Sequence, residues 1–223
     1  MTVKSQRTER RPDALSKARI VATAMEILDA GGERALTFRA LAARLATGAG
    51  AIYWHVADKE ALLAAVTTDV IAGAMPDVIR GADPRQAIRG IALGVFDAID
   101  AHPWVGAQLA REPGQLAMLA LFEGVGGQLP ALGVPEPAQF DAASALVHYV
   151  LGVAGQNAAN ARVHPPGTDR SAVLASIAAR WAQLDAAEYP FARRAATQLR
   201  AHDDRAQFLA GVDLILAGLT TVG

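Results

Sequence analysis

The stretch LTFRALAARLATGAGAIYWHVADKEALL, residues 36–63, decides how this chain is read. Thr37 stands where a helix N-cap is expected, and Leu41 and Leu45 follow four apart, the spacing of one buried helical face. Thr47-Gly48-Ala49-Gly50 predicts a turn, and a third short helix follows through His55. On its helical wheel Ala49, Ile52 and Val56 fall on one side, to pack on Leu41 and the preceding helix. Gly50, Ala51 and Trp54 point the opposite way, with Tyr53 and His55 flanking. Asp58 caps a fourth helix, whose inner face is Leu62, Leu63, Val66 and Val70. Two short helices joined by a glycine-containing turn form a helix-turn-helix, whose second helix can enter a DNA major groove.

Only 5% of the chain is aromatic, yet Tyr53, Trp54 and His55 stand in a row. A small domain does not expose two such rings without a use. Tyrosine hydroxyls and lysine ammoniums, here Tyr53 and Lys59, hold phosphate oxygens; an indole meets a thymine methyl; a histidine donates to phosphate or base. The competing reading makes Tyr53 and Trp54 ordinary core aromatics. The small residues around them and a basic segment upstream favour DNA.

That basic segment shows in the charge balance. Residues 1–60 hold ten Lys/Arg against seven Asp/Glu, whereas the remainder holds eleven against fifteen, so the net charge of −1 hides a basic N-terminal end. A locally basic segment on an acidic body suits an anionic partner at one end. Residues 1–13 read as a flexible basic arm, 14–60 as the helix-turn-helix domain and 61–223 as a larger helical domain, with helix 58–74 linking the two. Upstream, Ser16 caps a first helix with the stripe Ile20, Val21, Ala24, Ile27 and Leu28, ended by Gly31-Gly32.

Beyond Pro76 the helical pattern continues, giving an all-α fold. Asp83-Pro84 pairs a cap with proline at the first helical position and opens a helix to about residue 100; His102-Pro103 breaks it. Further helices are expected over 104–111, 114–129, 136–162, 170–185, 190–201 and 203–220, with an interior break at RVHPPGTD, 162–169. With 52% hydrophobic and 19% charged residues, the 223-residue chain can bury a sizeable core. Residues 142–161 lack Asp, Glu, Lys and Arg, but Ser144, His148, Gln156, Asn157 and Asn160 make this a buried helix rather than a membrane span. The absence of cysteine and of a signal in the first nineteen residues sets a cytoplasmic protein as the expectation.

Residues 15–66 resemble the DNA-binding domain of the TetR family of transcriptional regulators. The resemblance is carried by the end of the first helix, by Leu36-Thr37-x-Arg39-x-Leu41-Ala42, and above all by Tyr53-Trp54-His55-Val56-x-x-Lys59-x-x-Leu62-Leu63. It implies that Thr37, Tyr53, His55 and Lys59 hold the phosphate backbone and that Arg39, Ala51 and Trp54 reach towards bases. One departure concerns Gly48, Ala49 and Gly50, which offer almost no polar side chains where relatives often carry Gln, Pro or Ser. Base reading then rests on few contacts and on DNA shape. Gly48 and Gly50 also weaken the free helix by about 1 kcal/mol each relative to alanine. It is expected to firm up on its operator.

The C-terminal part is similar to tetracycline-repressor-like domains through His102-Pro103-Trp104, residues 143–152 and residues 208–219. This implies a homodimer through a four-helix bundle, with 141–160 and 204–219 as the contributing helices, reading a palindromic operator. The resemblance places Gln108 where a metal-ligating histidine would stand and Gln156 near the carboxylate position. The five histidines (55, 102, 148, 164, 202) show no helical metal-ligand spacing. No metal and no cofactor are expected. A mostly apolar effector pocket is expected instead, with Phe96, Trp104, Gln108, Met118, Phe122, His148, Tyr149, Gln156, Asn157 and Trp181 as candidates. Phe96, Met118 and Phe122 at helical spacing suit a core better than a pocket, and His148 suits a hydrogen-bonded interface.

No nucleophile motif, phosphate loop or paired-carboxylate motif appears, so an enzyme is not expected. The expected function is a ligand-responsive, DNA-binding repressor released from its operator by a small, largely apolar molecule. The alternative is an activator, or an architectural or partner-regulated factor without a small-molecule ligand.

Overall fold

The computed structural model describes residues 15–75, 83–112, 114–163 and 168–219. Eleven α-helices and one 3-10 turn make up the regular structure of these residues: α1 Lys17–Ala35, α2 Phe38–Arg44, α3 Ala49–Tyr53, α4 Lys59–Ala74, α5 Pro84–Ala101, α6 Trp104–Arg111, α7 Leu116–Gly126, the turn Pro130–Leu132, α8 Glu136–Val163, α9 Arg170–Ala182, α10 Pro190–Leu199 and α11 Asp204–Leu219. None of the described helices is long and apolar enough to cross a membrane.

The expected caps form. Ser16 Oγ accepts from Arg19 N at 3.2 Å, Thr37 Oγ1 from Ala40 N at 3.1 Å, Asp58 Oδ1 from Ala61 N at 2.7 Å and Asp83 Oδ1 from Arg85 N at 3.1 Å. Each satisfies a backbone N–H that the first helical turn leaves unpaired. The stripe Ile20, Val21, Ala24, Ile27 and Leu28 is buried, and α2 and α4 close over it with Leu41, Leu45, Leu62, Leu63 and Val66.

Several boundaries differ from expectation. The helix α1 breaks at Gly31-Gly32, where a stop is expected, and helical turns resume beyond it. Its regular path breaks at Gly32 (φ 66°), a conformation glycine adopts freely, and a further turn carries it to Ala35. The helix α3 stops at Tyr53 rather than His55. Its first residue follows Gly48, which provides no side-chain cap, and Trp54 and His55 already turn the chain so that Val56 is buried. Ala49, expected on the inner face, is exposed at the first helical position. The helix α7 begins at Leu116 because Gln115 is extended (ψ 152°), its buried amide donating to the Gln108 carbonyl at 2.8 Å. It ends at Gly126, three residues short of the expected 129, before the 3-10 turn. The helix α9 ends at Ala182 instead of 185. Asp185 Oδ1 accepts from Ala187 N and Glu188 N at 2.7 and 3.1 Å, a local turn that competes with helix. The basic arm 1–13 and residues 164–167 of the expected break lie outside the described residues.

In the larger part α5 runs along α8, and α7, α4 and α11 pack around this pair. Phe208 of α11 is fully buried, its ring 4.6 Å from that of Phe96 on α5 and 5.8 Å from that of Tyr149 on α8. The helices α9 and α10 pack mainly on each other, and Arg170–Asp204 and His202–Asp204 pair at the base of this hairpin.

The linking helix α4 meets α5 most tightly at Gly94. A Cβ built there would lie 1.9 Å from the Ala74 carbonyl oxygen, a backbone atom that cannot rotate aside. Gly94→Ala is therefore expected to push α5 off the end of α4 and to cost about 1–3 kcal/mol, the usual range for overpacking. Chemical denaturation checks this; an unchanged midpoint would show that the two helices tolerate a wider approach.

Candidate nucleic-acid interface and effector grooves

The candidate reading head is built on α2 and α3. Ile52 is fully buried beneath α3 and Val56 nearly so, which forces the side chains between them outward. Trp54 is 90% exposed, and Tyr53 and His55 are exposed beside it. Tyr53 does not wave freely: its ring stacks on Phe38 of α2 at 4.5 Å, the planes 3° apart. Sequence reasoning missed Phe38; its position directly after the Thr37 cap is the signal that could have found it. Thr37 spends its hydroxyl oxygen on the α2 cap, which leaves the hydroxyl proton able to donate. Arg39 is exposed and pairs with no carboxylate among the described residues. Gly48, Gly50 and the half-buried Ala51 keep the leading edge of α3 bare, so a phosphate or base edge can approach its backbone.

Lys59, at the start of α4, is part-buried and donates from Nζ to the Glu33 carbonyl at 2.8 Å. Its ammonium retains two further N–H donors. Glu33 has a second set of partners across the molecule. Its carboxylate accepts from Arg111 Nη1 at 3.1 Å, Arg111 Nη2 at 3.0 Å and Gln108 Nε2 at 3.0 Å. One turn earlier on α1, Asp29 Oδ1 accepts from Trp104 Nε1 at 2.8 Å and lies 2.8 Å from His102 Nδ1.

The Arg111 hydrogen bonds, with its charge and that of Lys59, hold the Glu33 carboxyl below its ordinary value against a smaller opposing effect of burial. A carboxylate held down in this way adds stability above its unfolded value, and that contribution disappears as pH falls through the folded one. The difference in thermal midpoint between wild type and Glu33→Gln is therefore expected to be largest near neutrality and to vanish in acid. A difference that stays constant with pH would mean the charge plays no part.

The ten effector candidates fall into four places. Trp104 and Gln108 are buried at the α1–α6 contact, their polar groups committed to Asp29 and Glu33. Tyr149 lies between α8 and α11, donating to the Phe208 carbonyl at 3.1 Å, and burial pushes its phenol up. Met118, Phe122 and His148 share a groove of about 730 Å³ between α6, α7 and α8, in which Ser144 and His148 are the polar side chains among apolar neighbours such as Leu109 and Phe140. Phe96, Gln156, Asn157 and Trp181 line a cleft of about 440 Å³ under the α9–α10 hairpin. Asn157 donates there to Asp100 at 3.0 Å. Gln108 and Gln156, the two positions implied for a metal chelate, thus lie in different places. Among the described residues no group of three or more His, Cys, Asp or Glu could hold a metal ion.

A three-helix head with an exposed aromatic tip, carried by a long helix on a larger helical body, defines a helix-turn-helix DNA-binding regulator. Residues 20–66 match the family described as bacterial regulatory proteins, tetR family, and residues 81–222 match the tetracyclin repressor-like C-terminal domain. An HTH-type transcriptional regulator of Saccharopolyspora erythraea is 31% identical over 217 residues, which cover 96% of this chain and 91% of that protein. The chain belongs to the TetR family of transcriptional regulators. The structure of SCO7222, a TetR from Streptomyces coelicolor, is similar at 49% identity and a TM-score of 0.87, covering 94% of this chain and 99% of that one. ActR of Streptomyces coelicolor, solved in complex with actinorhodin, shares the fold at 24% identity and a TM-score of 0.75, covering 93% of this chain and 98% of that one.

Proposed function

We propose that the protein is a ligand-responsive repressor that reads a palindromic operator as a homodimer and is released by a small, largely apolar molecule. The observation that carries the DNA reading is the 90% exposure of Trp54 on a head whose neighbouring Ile52 is fully buried. Residues 48–55 enter the major groove. Tyr53, His55, Thr37 and Lys59 hold phosphates, and Arg39, Ala51 and Trp54 approach base edges. The unit 14–60 serves as the head and 61–223 as the body that binds effector and partner. The helices α8 and α11 supply the dimer bundle; Leu214 and Gly218 on α11 are exposed in the single chain. The apolar groove against α6, α7 and α8 suits the effector better than the cleft under the hairpin, whose wall carries Arg170, His202 and Asp204.

The test is selection of duplexes from a random pool by the purified protein, followed by sequencing. An enriched palindrome with half-sites about one helical turn apart supports the dimeric reader; retention without enrichment sinks it. On the selected site, Arg39→Ala is expected to relax preference at one base pair, by about 1–3 kcal/mol of discrimination. Tyr53→Ala and Lys59→Ala are expected to weaken all sequences alike. Competition among single-base operator variants separates these outcomes, and wild-type behaviour of all three variants would exclude this docking.

A further inference from the structure

The helix α6 has two working faces. Gly106, Leu109 and Ala110 form part of the wall of the apolar groove. Trp104, Gln108 and Arg111, at the helical spacing of the other face, donate to α1. What they grip is a pair of carboxylates four residues apart, Asp29 and Glu33, at the C-terminal end of α1, which leads into α2. Glu33 is the branch point: its side chain takes three N–H bonds from α6 while its backbone carbonyl takes the ammonium of Lys59, the first residue of α4. Glu33 also follows the break at Gly32, where the backbone has left the regular helix (φ 66°, ψ −172°). One residue thus ties together the head, the linking helix and a wall of the groove.

The contact is polar and directional. Hydrogen bonds weaken steeply when donors move off line, so a displacement of α6 by an ångström or so releases them, whereas an apolar contact would slide. Arg111 adds a bidentate grip, which fixes angle as well as distance. Neither partner is deeply buried, with 58% of the Arg111 and 34% of the Glu33 side chain exposed, so releasing the pair does not strand a charge in the core.

We infer that Glu33 is a positioning residue: held by Arg111 and Gln108, it sets the orientation of the reading head on the body. The coupling to DNA rests on the proposed operator reading; the positioning itself does not.

The test uses the cysteine-free full chain, with nitroxides at Ala43→Cys on α2 and Ala120→Cys on α7, both exposed positions. Doubly labelled chains are diluted with unlabelled ones, so that distances within one chain dominate. Arg111→Ala is expected to broaden the distance distribution, and the charge swap Glu33→Arg with Arg111→Glu to narrow it again. On the selected operator, Arg111→Ala is expected to lose about three- to tenfold in affinity, the range of a partly exposed bidentate pair. It should tolerate altered half-site spacing better than wild type and bind an isolated half-site unchanged. Thermal midpoints recorded alongside separate positioning from unfolding. An unaltered distribution and spacing preference in Arg111→Ala would overturn the proposal. So would an equal loss on half-site and full operator with a lowered midpoint and no rescue by the swap. If wild type selects no palindrome, the operator reading fails, while the nitroxide distances still decide whether Glu33 positions the head.

Discussion

Trp54→Ala is expected to lose about 5- to 140-fold in operator affinity while leaving the thermal midpoint unchanged, since a good base contact is worth about 1–3 kcal/mol and each 1.4 kcal/mol is tenfold. The indole is 90% exposed and has no hydrogen-bond partner among the described residues, so truncating it removes nothing from the core. A large apolar ring held in water is unfavourable unless a partner covers it, and the tip of a helix-turn-helix supplies one. Anisotropy titrations on the selected operator, with a thermal scan of the same sample, check both halves. A lowered midpoint would make Trp54 a structural residue. Unchanged affinity would remove α3 from the groove.

Ile52→Ala, two residues away, is expected to do the opposite: to destabilise the head by about 2–5 kcal/mol and to abolish specific DNA binding through unfolding. Ile52 is fully buried, in the same core as Ile20, Leu28 and Leu41. The helix α3 has five residues, one of them Gly50, follows Gly48, and has no side-chain cap. A helix that short has no stability of its own and exists because Ile52 and Val56 fasten it to the core beside α2. Hydrogen exchange is expected to show faster opening in residues 38–56 of the variant than in α5 and α8, as befits a local rather than global loss. Uniform acceleration across both parts would mean that head and body unfold together.

The contrast between these neighbours is legible in the amino-acid pattern. The period of the apolar residues in 36–63 turns Ile52 inward and Trp54 outward, and the fold buries one and exposes the other. Caps are legible for a related reason. Ser16, Thr37, Asp58 and Asp83 each bond a backbone N–H within three residues, so the chain itself brings the partners together. Boundaries escape the pattern where competition is finer: a glycine pair that breaks α1 without ending it, and an aspartate that stops α9 early by capturing nearby N–H groups.

The sequence by itself therefore determined the all-helical architecture, the place of the helix-turn-helix and the sides that Ile52 and Trp54 face, because all of these follow from contacts a few residues apart. The tertiary structure alone decided what the polar groups of Gln108 and Trp104 meet. Both stood among the effector candidates. Their partners, Glu33 and Asp29, lie 75 residues away, and no spacing along a helix encodes that meeting. It depends on where α6 comes to rest on α1, which is set by the packing of the whole body. The same packing distributes the remaining candidates between a groove, a cleft and the α8–α11 contact, because residues that share a chemical character need not share a cavity.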